Sequence, residues 1–228
     1  MERKDKSQID YKELQEFVFN NGADLFGVAE IANIKKDFIL DKEIISNLDR
    51  AVSIGVRLSE KIFEDIIERP TKLYFHHYKT CNMVLDQIAF KLAGLIQRKG
   101  FLALAIPASQ IVDWQKQTSY LSHKKIGSLA GLGWIGRNNL LVNEKFGSQF
   151  RLVTVLTAMP LRTSKPINQN CGSCKACIEV CPVKAIKLKP DDFDHIACYQ
   201  KLKDFQRQKF VDQYICGICL RACNGRKN

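Results

Sequence analysis

Apolar positions recur at helical spacing over residues 10–21, where Tyr11, Leu14, Phe17 and Val18 share a face and Gly22 ends the pattern. Apolar runs at 25–31 and 51–58 predict buried strands. The strongest helix is predicted over 73–99. Tyr74, His77, Cys81, Val84, Leu85, Ile88, Leu92, Leu95 and Ile96 fall on one of its faces, and Gly100 follows the last turn. A strand over 101–106 ends at Pro107, a helix covers 119–129, and strands follow at 139–142 and 150–157. Strands mixed with helices in this order predict a layered α/β or α+β domain. Residues 162–170 lack periodicity and read as a linker.

Composition narrows the setting. The chain has 228 residues, 46% of them apolar, enough for one ordinary core or a main domain with a small one. Residues 1–13 are charged throughout with no apolar stretch behind them, so no secretory signal is expected. The longest apolar run, 101–108, is too short to span a bilayer, and no membrane partner is expected. The expected location is the reducing cytoplasm, where nine cysteines point to metal binding rather than structural disulfides. A formal charge of +11 admits an anionic partner such as nucleic acid, a phosphate-bearing cofactor or an acidic electron donor.

The cysteines sharpen this. Cys171, Cys174, Cys177 and Cys181 form C-x2-C-x2-C-x3-C with Pro182 directly after, the bacterial ferredoxin run. Three thiolates on a tight turn reach three irons of one cube, and the fourth is carried onward to a different cube. A second set follows: Cys198, then Cys216, Cys219 and Cys223 as C-x2-C-x3-C. The spacing therefore assigns Cys171, Cys174, Cys177 and Cys223 to a first [4Fe–4S] cluster and Cys181, Cys198, Cys216 and Cys219 to a second. Zinc would favour two separated C-x2-C pairs. Cys223 is followed by Asn224, so the second half departs from the symmetric ferredoxin pattern. Each oxidised cluster with four thiolates contributes 2−, which brings the loaded chain to about +7. Cys81, on the apolar face of the long helix, reads as a small core residue. A cofactor-binding α/β domain at 1–163 and a ferredoxin-like iron–sulfur domain at 164–228 are expected.

Residues 130–141 read A-G-L-G-W-I-G-R-N-N-L-L. Their glycines allow close approach of the backbone to a bulky ligand, although no strand leads into them as a dinucleotide fingerprint requires. This stretch, then FGSQFRLVTVLTAMPL, the ferredoxin run, the lone Cys198 and CGICLRAC resemble, in order and spacing, the epoxyqueuosine reductase family over roughly residues 50–223. That family consists of cobalamin-dependent iron–sulfur reductases related to reductive dehalogenases. The resemblance implies a nitroreductase-like α/β core holding base-off cobalamin, with the second cluster beside the corrin. It implies that Gly131, Gly133, Trp134, Gly136, Arg137 and Asn138 line the corrin and its tail. It implies a low-potential electron donor such as ferredoxin or flavodoxin, and tRNA as the partner that carries epoxyqueuosine.

The family's proton donor is an aspartate in V-D-x-x-P-x-x-E-R, and Val112-Asp113 stands as its counterpart. The proline and the Glu-Arg pair are not matched; Ser122-His123-Lys124 stands where Glu-Arg would be. Asp113, after a strand end, and His123, shortly before the glycine turn, are the candidate catalytic acids. The family's helical-repeat region, which helps hold RNA, is expected to be missing, since the sequence stops five residues after Cys223. The rival reading is a ferredoxin-type electron-transfer protein serving a partner enzyme or corrinoid protein.

Overall fold

A computed structural model describes residues 3–113 and 117–225. In chain order the elements are α1 (Arg3–Asn20), β1 (Leu25–Glu30), α2 (Lys42–Ile45), β2 (Arg50–Arg57), α3 (Lys61–Glu64), α4 (Lys72–Arg98), β3 (Ala103–Ile106), α5 (His123–Leu129), β4 (Trp134–Ile135), β5 (Leu141–Val142), β6 (Phe150–Thr157), α6 (Ala176–Glu179), α7 (His195–Arg207) and α8 (Ile218–Ala222). Single 3-10 turns lie at Lys35–Asp37 and Pro190–Asp192. The fold is mixed α/β, as the alternation predicts. None of the described helices is long and apolar enough to cross a membrane.

The described residues group into two compact units, each assembled from separated stretches. The first comprises residues 1–56, 82–132 and 151–167; the second comprises 57–81, 133–150 and 168–228. The four-stranded sheet of order β1-β2-β6-β3 forms the first unit, apart from its end residues Arg57 and Phe150. β1 pairs antiparallel with β2, Leu25 opposite Gly55 and Glu30 opposite Arg50. β3 pairs antiparallel with β6, Ala103 opposite Thr157 and Ile106 opposite Thr154. Continuous apolar runs make these strands, and β2 and β6 are buried over most of their length. Leu14 and Val18 of α1 and Leu85, Ile88, Leu92 and Ile96 of α4 are fully buried, as their helical spacing requires. Cys81, near the middle of α4, is buried, as a small apolar residue would be.

The expected helix over 119–129 starts later, at His123. Ser122 takes the capping position and accepts from Lys125 N–H. Residues 119–121 are instead used in a turn: Ser119 Oγ donates to the Leu121 carbonyl, and Tyr120 N–H donates to Gln110 Oε1. The strand expected from 101 starts at Ala103, and the one expected from 139 starts at Leu141. The C-terminus of α5 lies hard against β1. A Cβ built on Gly27 would sit 2.1 Å from the Ala130 carbonyl oxygen, which is backbone and cannot rotate away. Gly27→Ala should therefore destabilise the chain by about 1–3 kcal/mol, the usual range for overpacking. Urea unfolding beside wild type measures it; an unchanged midpoint would show that α5 shifts freely on β1.

Candidate iron–sulfur and catalytic site

All nine thiols lie in the second unit, and the eight from Cys171 to Cys223 form two neighbourhoods. Burial pushes the Cys177 thiol up to about 11, and the nearby thiols of Cys223, Cys171 and Cys174 push it further in the same direction. Cys223 is raised by burial and by Cys171 and Cys174, while the Ser148 hydroxyl and amide oppose the shift. Burial likewise raises Cys198 to about 11, with Cys181 and Asp194 adding to it, and Cys216 to about 12, with Cys198 and Cys181 adding. Cys219 is raised by burial and then by Cys216, Cys198, Cys177 and Cys181. One neighbourhood thus holds Cys171, Cys174, Cys177 and Cys223; the other holds Cys181, Cys198, Cys216 and Cys219. Cys177 and Cys219 bring the two neighbourhoods within electrostatic range of each other. Among the described residues no three His, Cys, Asp or Glu side chains converge tightly enough for a single ion. A four-iron cube instead spreads its thiolates over its corners.

Backbone donors serve these cysteines. Ala185 N–H donates to Cys181 Sγ at 3.3 Å, and Ser148 N–H donates to the Cys223 carbonyl at 2.9 Å. Cys171 and Cys181 begin and end a loop that the short helix α6 closes. Arg137 spans this region: its Nε donates to Leu188 O at 2.8 Å, its Nη1 to Cys174 O at 2.6 Å, and its Nη2 to Gly172 O at 2.8 Å. Asn138 is buried, with its Nδ2 on Ser148 Oγ at 3.0 Å and its Oδ1 accepting from Leu140 N–H.

The glycine turn is packed against the chain itself. A Cβ on Gly131, whose φ is +73°, would lie 2.4 Å from the Lys165 carbonyl. On Gly133 it would lie 2.0 Å from the Val142 carbonyl, and on Gly136 2.4 Å from Val142 Cγ2 and 3.5 Å from Cys171 Sγ. The close approach is made by backbone carbonyls at Gly131 and Gly133 and by the Val142 side chain at Gly136. Trp134 is buried, and its Nε1 has no hydrogen-bond partner.

Asp113 and His123 belong to the first unit. Asp113 is half-buried in a tight bridge with Thr118, whose N–H donates to the Asp113 carbonyl at 3.1 Å. His123 is held at both ring nitrogens. Nε2 lies 2.8 Å from the Pro107 carbonyl, which makes it the protonated nitrogen, and Nδ1 then accepts from Thr154 Oγ1 at 2.8 Å. Burial drives the imidazole down to about 4; the Pro107 bond opposes this and the Arg151 charge adds to it. The ring is neutral near pH 7. Its neighbour Lys124, which sequence reasoning passed over, is pushed down to about 8 by burial. No spacing signal marks it; desolvation alone sets it apart.

Residues 170–225 match the family described as a 4Fe-4S double cluster binding domain. Among curated proteins the chain is similar to the epoxyqueuosine reductase of Escherichia coli K12, 37% identical over 165 residues, covering 70% of this chain and 41% of that protein. It is also similar to that of Leadbetterella byssophila, 38% identical over 103 residues, covering 41% and 33%. The chain resembles epoxyqueuosine reductases over part of their length. The alignments span only about a third to two-fifths of these relatives' length. The fold of this epoxyqueuosine reductase-like chain matches a solved epoxyqueuosine reductase from Streptococcus thermophilus, with a TM-score of 0.69 at 17% identity, covering 95% of this chain and 68% of that one. It also matches a catabolic reductive dehalogenase solved with 3-bromo-4-hydroxybenzoic acid, with a TM-score of 0.67 at 18% identity, covering 80% and 26%.

The residues fit two [4Fe–4S] clusters: eight thiols in two quartets, with amide donors at their sulfurs. The fit to cobalamin differs. The Cβ space of Gly131, Gly133 and Gly136 and the polar groups of Arg137 and Asn138 are taken up within the chain. Those five residues brace the protein and present no vacant cradle of their own.

Two outcomes follow from these contacts. Lysine cannot reproduce the three-carbonyl clamp of Arg137, so Arg137→Lys should release iron from the loaded protein to a chelator roughly tenfold faster, the equivalent of one charge-assisted bond. Unchanged release kinetics would remove the clamp's role. His123 has a folded-state value near 4 against about 6.5 unfolded, so the unfolded chain takes up its proton first as pH falls. Its stabilising contribution, about 3 kcal/mol, is complete above pH 6.5 and is lost as pH falls through 4. Denaturant unfolding between pH 7 and 4 should show that slope, and His123→Gln should flatten it.

Proposed function

We propose that the chain is an iron–sulfur oxidoreductase that reduces epoxyqueuosine or a closely similar epoxide, with cobalamin as its second cofactor. The observation that carries this is the pair of adjoining thiol quartets in one unit, together with 37% identity over 165 residues to a curated epoxyqueuosine reductase. Cys171, Cys174, Cys177 and Cys223 hold the cluster at which electrons enter, and Cys181, Cys198, Cys216 and Cys219 hold the one that passes them on. Converting an epoxide to an alkene and water takes two electrons and two protons, and two one-electron clusters in series suit that demand. Cobalamin, when bound, supplies a low-valent cobalt nucleophile; the protein positions it and controls water and protons around it.

Asp113, His123 and Lys124 are the groups proposed to handle protons. Neutral His123, with Nε2–H on Pro107 and Nδ1 on Thr154, suits orienting its surroundings more than donating. Lys124, near 8, carries a proton at neutral pH that it can give up. One solved relative was crystallised with an epoxyqueuosine-modified tRNA-Tyr stem loop, and we carry tRNA over as the proposed partner of this basic chain. Ferredoxin or flavodoxin is the proposed donor, and the reducing cytoplasm the proposed location.

A second reading is an electron-transfer protein serving a partner enzyme or corrinoid protein. It is favoured by the internal commitment of Gly131, Gly133, Gly136, Arg137 and Asn138. Anaerobic reconstitution with iron, sulfide and cobalamin separates the two. The expected result is about eight iron and eight sulfide per chain, with an absorption spectrum of base-off cobalamin. Stoichiometric zinc, or half that iron, would sink the two-cluster assignment. Full cluster loading without cobalamin binding would leave the electron carrier.

A further inference from the structure

Among the described residues two buried side-chain atoms have no hydrogen-bond partner: Ser53 Oγ and Trp134 Nε1. A hydroxyl can rotate and can act as donor or acceptor. An indole N–H is a donor only, fixed in the plane of its ring. Trp134 is 7% exposed, so water does not readily serve it. Buried donors in folded proteins find acceptors, and this one therefore indicates an acceptor that the polypeptide does not supply.

The hairpin of β4 and β5 shows where that acceptor lies. Trp134 is directly opposite Val142, and opposed residues present their side chains to the same face. Gly136 is two residues beyond Trp134, and Gly136 N–H continues the ladder to the Leu140 carbonyl at 2.9 Å, so Gly136 also belongs to that face. The contacts of Gly136 identify what the face meets. A Cβ there would touch Val142 Cγ2 and lie 3.5 Å from Cys171 Sγ. Trp134, Val142 and the Cys171 thiol thus share one side of the hairpin. The same hairpin continues to Gly147 and Ser148, which meet the other end of that quartet. Gly147 packs on the Cys223 backbone, and Ser148 turns its hydroxyl and amide toward the Cys223 thiol.

We infer that Trp134 Nε1 donates a hydrogen bond to the cluster held by Cys171, Cys174, Cys177 and Cys223, at a sulfide or thiolate sulfur, and that this bond raises the cluster's reduction potential. The inference rests on the quartet assignment proposed above. Sulfur in the cluster becomes more negative when an electron is added, so a donor aimed at it favours the reduced form. Trp134 is then a positioning and tuning residue for electron entry.

The test uses the full chain loaded with clusters and kept free of cobalamin. Tryptophan labelled with 15N at the indole is incorporated, and pulsed EPR is recorded on the reduced first cluster, identified by its survival in Cys198→Ser. A 15N hyperfine coupling is expected in otherwise native protein and should vanish in Trp134→Phe. In a redox titration Trp134→Phe should lower the first cluster's reduction equilibrium about tenfold, or about 59 mV for one electron, and leave the second cluster in place. Absence of the 15N coupling together with an unmoved potential overturns the inference while leaving a normal iron and sulfide content, and so the cluster reading, intact. A coupling that appears only after cobalamin is added assigns the indole to that cofactor and also overturns it. Iron well below eight per chain would remove the quartet assignment itself. If Trp134→Phe does not load clusters, the labelled native protein decides alone through the presence or absence of the coupling.

Discussion

Iron binds thiolate, and burial resists thiolate. Five of the cysteine thiols in the cluster-bearing unit are driven upward by desolvation, each quartet compounding the shift through its own neighbours. Without iron these thiols rest protonated and uncharged, and binding the metal releases their protons. The supporting contacts follow from that constraint. Amide N–H groups lie at the sulfurs of Cys181 and Cys223, and the cationic head of Arg137 is fixed on the carbonyls of the ferredoxin loop.

Support also comes from outside the cysteine-rich segment. Gly217, beside Cys216, packs against Ile66 and Tyr74, and Arg221 donates to the Ile66 carbonyl. Arg69 lies over the Phe210 ring, and Lys72 pairs with Asp212. Gln149 donates to the Leu220 carbonyl at 3.0 Å. A segment of this size cannot bury enough surface to stand alone; residues 57–81 and 133–150 complete it, and clusters add the remaining cross-links.

Spacing was the most legible part. The run from Cys171 to Pro182 and the later C-x2-C-x3-C mark a double-cluster segment, because ligand geometry leaves little freedom in spacing. The long helix was read within a residue at each end, and β6 at both, since a long apolar face and a buried run are hard to mistake. Other features carried no such signal. β4 has two residues, too few for any period. α7 begins at Asp194, whose carboxylate caps Ala197 N–H, but its apolar positions are sparse and the cysteines drew the reading away. The glycines at 131, 133 and 136 announced close approach without saying what approaches, and the structure brings up the Lys165 and Val142 carbonyls and the Val142 side chain. His123 was marked by position alone; its partners Pro107 and Thr154 come from elsewhere in the sequence.

The crossing of ligands between the quartets bears on the order in which the protein is made. Cys171, Cys174 and Cys177 leave the ribosome first, yet the thiol that closes their quartet is Cys223, the last of all. The second quartet, begun by Cys181, is complete one cysteine earlier, at Cys219. On the proposed assignment, a chain interrupted before Cys223 retains a first site that lacks its fourth ligand.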